Sequence, residues 1–158
     1  MSLDTTELVT NRGERVLFGE LAGKVTLVVN VASKCGLTPQ YEQLEALYRK
    51  YKDRGLQIIG LPSNTFLQEY SSNEKIADFC ALNYGVSFPL TERVAVNGAR
   101  RHPLYKELTK EKDDLGVAGP VMWNFEKFLV LPNGEVKRFR PTTKPDDSKI
   151  VGLIEANL

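Results

Sequence analysis

The chain has 158 residues, and its 21 Lys plus Arg against 20 Asp plus Glu leave a formal charge of +1. That length suits one domain, residues 1–158, with a core of its own and no need of disulfide staples, and the balanced charge gives no reason to expect nucleic acid or an anionic membrane as partner. Two cysteines in such a chain point to a reducing, cytoplasmic setting and to redox chemistry or packing.

Residues 1–11 carry acidic and polar side chains where a secretory signal would be apolar, and the longest apolar stretches are strand-sized, too short to span a bilayer. Val9, Val16-Leu17-Phe18 and the Asn11-Arg12-Gly13 turn predict an N-terminal β-hairpin. The β-branched run 25–31 predicts a buried strand. Thr38-Pro39 then reads as a helix entry, Thr as cap and Pro at the first helical position, for an amphipathic helix over 39–53 stopped at Gly55. A second apolar strand over 56–61 completes a βαβ unit with parallel strands.

A polar loop over 62–72 leads to a helix over 73–84 closed by Gly85. Ile76, Phe79, Cys80 and Leu82 lie on or beside one face of it, so Cys80 should point inward. Val94-Ala95-Val96 ends at an Asn97-Gly98 turn, and a short helix begins near Pro103, with the single histidine, His102, at its start. Residues 125–131 and 135–139 flank Pro132-Asn133-Gly134 as a hairpin, and 146–158 form a last helix. The order predicts an α/β fold, a central mixed sheet flanked by helices and preceded by a β-hairpin, resembling the thioredoxin fold. In such sheets sites lie beyond the carboxyl ends of the strands, where Cys35 and the 62–72 loop would meet.

Cys35 sits between strand and helix. A thiol near unpaired N–H groups at a helix start is stabilised as the nucleophilic thiolate, whereas a free cysteine is also a common core residue. Position alone leaves both readings open. Position 38 is Thr and position 32 is Ala, so Cys35 has no CxxC partner and cannot form a dithiol couple of that kind. A lone thiolate on this scaffold suits attack on a weak O–O bond, giving a sulfenic acid. Taken singly, Trp123 reads as core, Gln68 as an exposed loop residue and Asn124 as a turn cap.

The segments NVASKCGLTPQYEQLEALYRKY, GLQIIGLPSNTFLQE, FCALNYGVSFP and WNFEKFLV, in this order and spacing, resemble the glutathione peroxidase family, specifically its cysteine-containing, thioredoxin-dependent branch. The resemblance covers the chain from about Gly23 to the last helix. It implies a thiol peroxidase that reduces hydrogen peroxide and organic or lipid hydroperoxides, with Cys35 as nucleophile and Gln68, Trp123 and Asn124 completing a catalytic tetrad. Neutral donors of this kind can hold a thiolate and a peroxide oxygen without a tight ion pair. The Gly36 N–H is a further expected donor.

The resemblance also assigns Cys80 as the resolving cysteine, which closes a disulfide with Cys35 for thioredoxin to reduce. Pattern alone makes Cys80 a core thiol. If the two cysteines lie beyond disulfide reach, the Cys80 helix must partly unwind. Pro62-Ser63-Asn64-Thr65-Phe66 replaces the family's usual PCNQF, losing a third cysteine that is not the resolving one in this branch, and Tyr70-Ser71 replaces a usual Pro-Gly. No cofactor and no metal is implied. The insertion used by tetrameric relatives has no room before Trp123, so a monomer or weak dimer is expected. Two alternatives remain: a one-cysteine cycle completed by glutathione with Cys80 inert, and a redox sensor whose oxidised Cys35 passes its oxidation to a partner protein.

Overall fold

The computed structural model describes residues 3–158; Met1 and Ser2 of the predicted domain lie outside the described residues. Strands β1 (Glu7–Val9) and β2 (Arg15–Leu17) pair antiparallel as the predicted hairpin and run into a single helical turn, α1 (Phe18–Leu21). The βαβ unit follows: β3 (Val25–Val31), α2 (Gln40–Tyr51) extended by a 3-10 turn at Lys52–Arg54, and β4 (Leu56–Pro62). Gly55, at φ +116, provides the left-handed stop that a side chain would resist.

Helix α3 (Asn73–Tyr84) is capped at its start by the Ser72 hydroxyl, which accepts from the Lys75 N–H, and at its end by Gly85 at φ +58. The rest is α4 (Pro103–Leu108), the hairpin β5 (Lys127–Val130) and β6 (Val136–Phe139), and α5 (Ser148–Asn157), capped by Asp147. Residues 94–96 form no strand. Their neighbourhood instead follows the β4 edge, where Leu90 bridges to Gly60 and the Val94 N–H donates to the Pro62 carbonyl.

The sheet order is β4-β3-β5-β6, with β3 and β4 parallel and the other neighbours antiparallel. This is the mixed sheet expected from the element order. Its central strand β3 is buried throughout, and alternation divides its side chains between two cores. Val25, Leu27, Val29 and Val31 pack with Tyr41, Leu44 and Leu47 of α2, Ile76 and Cys80 of α3, and Ile150 and Ile154 of α5. Val28 faces the other side, with Leu8, Phe18 and α4 residues Leu104, Tyr105 and Leu108. Helices therefore cover one face, and the N-terminal hairpin with α4 covers the other. Among the described residues, no helix is long and apolar enough to cross a membrane.

Two basic side chains are buried among the described residues of this frame. Lys127 of β5 has no exposed surface; its ammonium donates to the carbonyls of Pro141 and Thr143, and burial lowers its pKa to about 7. Arg138 of β6 is held at 2.6 Å by Glu126, both side chains fully buried, and also donates to the carbonyls of Gly119 and Pro120. That pair pins the chain immediately before residue 123. An isolated charge at either position would be costly, and each is surrounded by acceptors that offset it.

Candidate active site

Cys35 lies beyond the carboxyl end of β3, in a loop fastened from several directions. The Thr38 hydroxyl accepts from the Cys35 N–H at 3.0 Å and donates to the Ala32 carbonyl at 2.8 Å. Thr38 therefore does not cap α2: the chain makes turns through residues 35–39, with the Thr38 N–H on the Cys35 carbonyl, and the helix begins at Gln40 with Pro39 as the flanking residue. The helix start thus lies one residue later than the expected Thr cap and first-position Pro, because the threonine hydroxyl is used inside the loop. The backbone donor that reaches the thiol is the Leu37 N–H, 3.3 Å from Sγ, where the Gly36 N–H had been expected.

The 62–72 loop, which follows β4, meets this turn as predicted. The Lys34 N–H donates to the Gln68 carbonyl at 2.9 Å, and the Ser33 N–H to Glu69 Oε1 at 3.1 Å. Glu69 is nearly fully buried, and burial raises its pKa above the ordinary carboxylate value. Sequence reading did not single it out. An acidic residue in a polar loop carries no signal of burial, and only its place beside Gln68 within the motif pointed here.

The third segment is the turn that leads into β5. Trp123 directs its indole N–H at Cys35 Sγ, 3.2 Å away, and the ring lies against Phe66. It is 39% exposed, so it is not a core tryptophan. Asn124 is fully buried and donates from Nδ2 to Gln68 Oε1 at 3.0 Å. This contact turns the Gln68 amide so that its Nε2 remains to donate elsewhere. Among the described residues, the non-glycine positions with positive φ are Leu67 at +62° and Phe125 at +66°. One precedes Gln68 and the other follows Asn124. Strained backbone at both places marks sharp redirections of the chain toward the thiol.

Cys35 is 7% exposed and Cys80 1%, and both are free thiols. Cys80 faces inward from α3 as expected, whereas Leu82, also placed near that face, is 86% exposed. Burial is the main reason that the Cys80 thiol is pushed up to about 11, with the Glu69 carboxylate adding to the rise. Tyr41 of α2, itself raised by burial, is the ring hydroxyl beside Cys80. Ser63 is buried and shares a 2.9 Å hydrogen bond with the Thr65 hydroxyl. His102 caps α4, its Nδ1 accepting from the Leu104 N–H at 3.0 Å, which is the helix-start role expected of it. A separate groove of about 590 Å³ lies at the opposite end of β3, between Lys24, Glu107 and Asn133.

Residues 3–109 match the glutathione peroxidase family. The chain belongs to the glutathione peroxidase family. It is accordingly a peroxidase, an enzyme that reduces hydroperoxides. Among curated relatives it is 54% identical over 140 residues to a glutathione peroxidase-like peroxiredoxin of Saccharomyces cerevisiae, covering 87% of this chain and 85% of that one. It is 46% identical to a hydroperoxy fatty acid reductase of Synechocystis, over 85% and 84% of the two chains, and 40% identical to a thioredoxin/glutathione peroxidase of Escherichia coli, over 99% and 97%. The solved structure of Trgpx in apo form is similar with a TM-score of 0.76 at 36% identity, covering 98% and 96%. A thioredoxin-like protein from Aeropyrum pernix, at 16% identity, has a TM-score of 0.65 over 97% and 89%, a likeness of fold alone. The thioredoxin-like fold expected from the element order is the fold of this family member.

Proposed function

We propose that Cys35 is the peroxidatic nucleophile, that Gln68, Trp123 and Asn124 serve it, and that Cys80 resolves the oxidised form for reduction by thioredoxin. The observation that carries this reading is the convergence of the Trp123 indole N–H and the Leu37 N–H on Cys35 Sγ, at 3.2 and 3.3 Å. Two neutral donors on one sulfur favour the thiolate without burying it in an ion pair. The thiolate attacks one peroxide oxygen; the S–O bond forms as the O–O bond breaks, and the departing alkoxide or hydroxide takes a proton to leave as alcohol or water. In this reading Gln68, whose Oε1 is engaged by Asn124, uses its free Nε2 to steady the departing oxygen.

The second step joins the Cys35 sulfenic acid to the Cys80 thiol, releasing water and forming the disulfide. Cys80 is buried and held protonated, so it acts only when α3 loosens. The resulting disulfide is the substrate of a dithiol reductant, and the relative named as a thioredoxin/glutathione peroxidase supports thioredoxin in that role. The relative named as a hydroperoxy fatty acid reductase supports organic and lipid hydroperoxides among the substrates. A single thioredoxin-like domain over residues 1–158, acting as a monomer or weak dimer in the cytoplasm, completes the reading. A Cys80→Ser variant assayed by peroxide-dependent NADPH oxidation through thioredoxin should lose steady turnover while keeping one rapid oxidation of Cys35. Turnover equal to the parent would leave Cys80 inert and overturn its resolving role.

A further inference from the structure

The residues that surround Cys35 come from three segments, and one buried side chain joins two of them. Asn30 lies in β3, five positions before Cys35, and has no exposed surface. The antiparallel register of β3 with β5 runs from Thr26 opposite Val130 to Val29 opposite Lys127 and stops there. One step further Asn30 would face Glu126, but the chain turns away at Phe125, at φ +66. The Asn30 side chain takes over where the ladder ends. Its Nδ2 donates to the Trp123 carbonyl at 3.2 Å, its Oδ1 accepts from the Glu126 N–H at 3.0 Å, and its own backbone carbonyl accepts from the Phe125 N–H at 2.7 Å.

Resting on the reading of Cys35 as nucleophile, we infer that Asn30 is a positioning residue for peroxide reduction: it fixes the turn through residues 123–126 so that the Trp123 indole reaches Cys35 and the Asn124 amide reaches Gln68. The amide is the side chain this place requires. A carbonyl on one side needs a donor and an N–H on the other needs an acceptor, and a carboxamide supplies both at one carbon while remaining neutral at a fully buried position. This demand also settles which end of the amide faces which partner. The far side of the turn is held independently, since Glu126 Oε1 accepts from the Met122 N–H at 3.1 Å while Oε2 holds Arg138. With the Asn30 side chain removed, the Phe125 N–H keeps its bond to the residue 30 backbone carbonyl, but the bonds to the Trp123 carbonyl and the Glu126 N–H on either side of its left-handed backbone are lost, and the turn relaxes away from the thiol while the Glu126–Arg138 pair keeps the strand below it in place. A displacement of this kind matters because reactivity depends steeply on placement.

The test compares Asn30→Leu in two reduced backgrounds, Cys80→Ser alone and Cys80→Ser with Trp123→Phe and Asn124→Ala, following Cys35 oxidation by hydrogen peroxide with quenched mass spectrometry. Leu keeps the volume and removes every side-chain hydrogen bond. The expected result is a loss of about tenfold or more in the first background and less than about twofold in the second, because Asn30 has nothing left to position there. Equal losses in both backgrounds, or no loss in the first, would overturn the inference. Asn30→Asp, which retains the acceptor and loses the donor to Trp123, decides by the same comparison if the Leu variant does not fold. Trp123 is the single tryptophan of the chain, so its emission offers a readout that a merely structural role would not move. Alkylation of Cys35 should change that emission in the parent and leave it nearly unchanged in folded Asn30 variants. An emission change in those variants as large as the parent's would contradict the inference. A parent that is inert to peroxide would refute the proposed function, and the emission measurement would still decide the part played by Asn30.

Discussion

The two cysteines share one hydrophobic core yet live in opposite surroundings. Cys35 is held by a mesh of directional contacts: Thr38 on its backbone, the Leu37 N–H and the Trp123 indole on its sulfur, and the 62–72 loop on its preceding turn. Cys80 is held by burial, in a helix whose other buried residue is Ile76. The difference teaches how a two-cysteine cycle can be ordered in time. In the proposed cycle, the first thiol meets a small oxidant at rest, and the second becomes available only at the cost of opening a helix.

The largest effect that could break this comparison is loss of a sulfur. Cys35→Ser should abolish peroxide reduction outright in the thioredoxin-coupled assay, and residual turnover there would move the chemistry to another residue. Next comes the donor. Trp123→Phe keeps the ring contact with Phe66 but removes the N–H on Sγ, and the rate of Cys35 oxidation should fall by about a hundredfold, the scale for losing one preorganised donor. Stopped-flow mixing with peroxide measures it, and an unchanged rate would reduce the indole to packing.

A smaller and opposite effect is expected at the second cysteine. Gly85 ends α3 in the left-handed region, and its carbonyl accepts from the Arg49 guanidinium. Gly85→Ala should weaken that end of the helix by about 1 kcal/mol, and if opening of α3 limits resolution, closure of the disulfide should accelerate by roughly fivefold. Slower or unchanged closure would mean that the helix does not have to open. The subtlest test is pH. The folded Cys80 pKa lies above its ordinary value of 9.0, so the folded state gains stability from the protonated thiol below about pH 9 and loses that gain as pH rises toward about 11. Denaturant midpoints should therefore fall more steeply across that window in the parent than in Cys80→Ser, and parallel profiles would contradict the assigned burial.

The order of elements along the chain, the helix stops at Gly55 and Gly85 and the inward face of Cys80 were legible because each is a local pattern of apolar spacing or a residue with a special backbone preference. Trp123, Gln68 and Asn124 became legible only together, through family-like motifs, since none carries a local signal of facing a thiol. The donor on Cys35 was assigned to Gly36 and lies at Leu37, because the turn through 35–39 displaces the helix start and no periodicity reports such a shift. Glu69, Lys127 and Arg138 carry no local signal of burial; their burial is a tertiary fact, visible only in the folded chain. Asn30 stood in plain view at the head of the central motif. Its side-chain role was hidden because an interior strand residue shows nothing in sequence of where a neighbouring ladder ends.

The most direct measurement is peptide mapping of the reduced protein after one equivalent of hydrogen peroxide, with free thiols blocked at the moment of quenching. The account predicts a Cys35–Cys80 disulfide peptide as the main product, preceded by a short-lived sulfenic acid on Cys35. Stable oxidation of Cys35 with Cys80 recovered as a free thiol would contradict it.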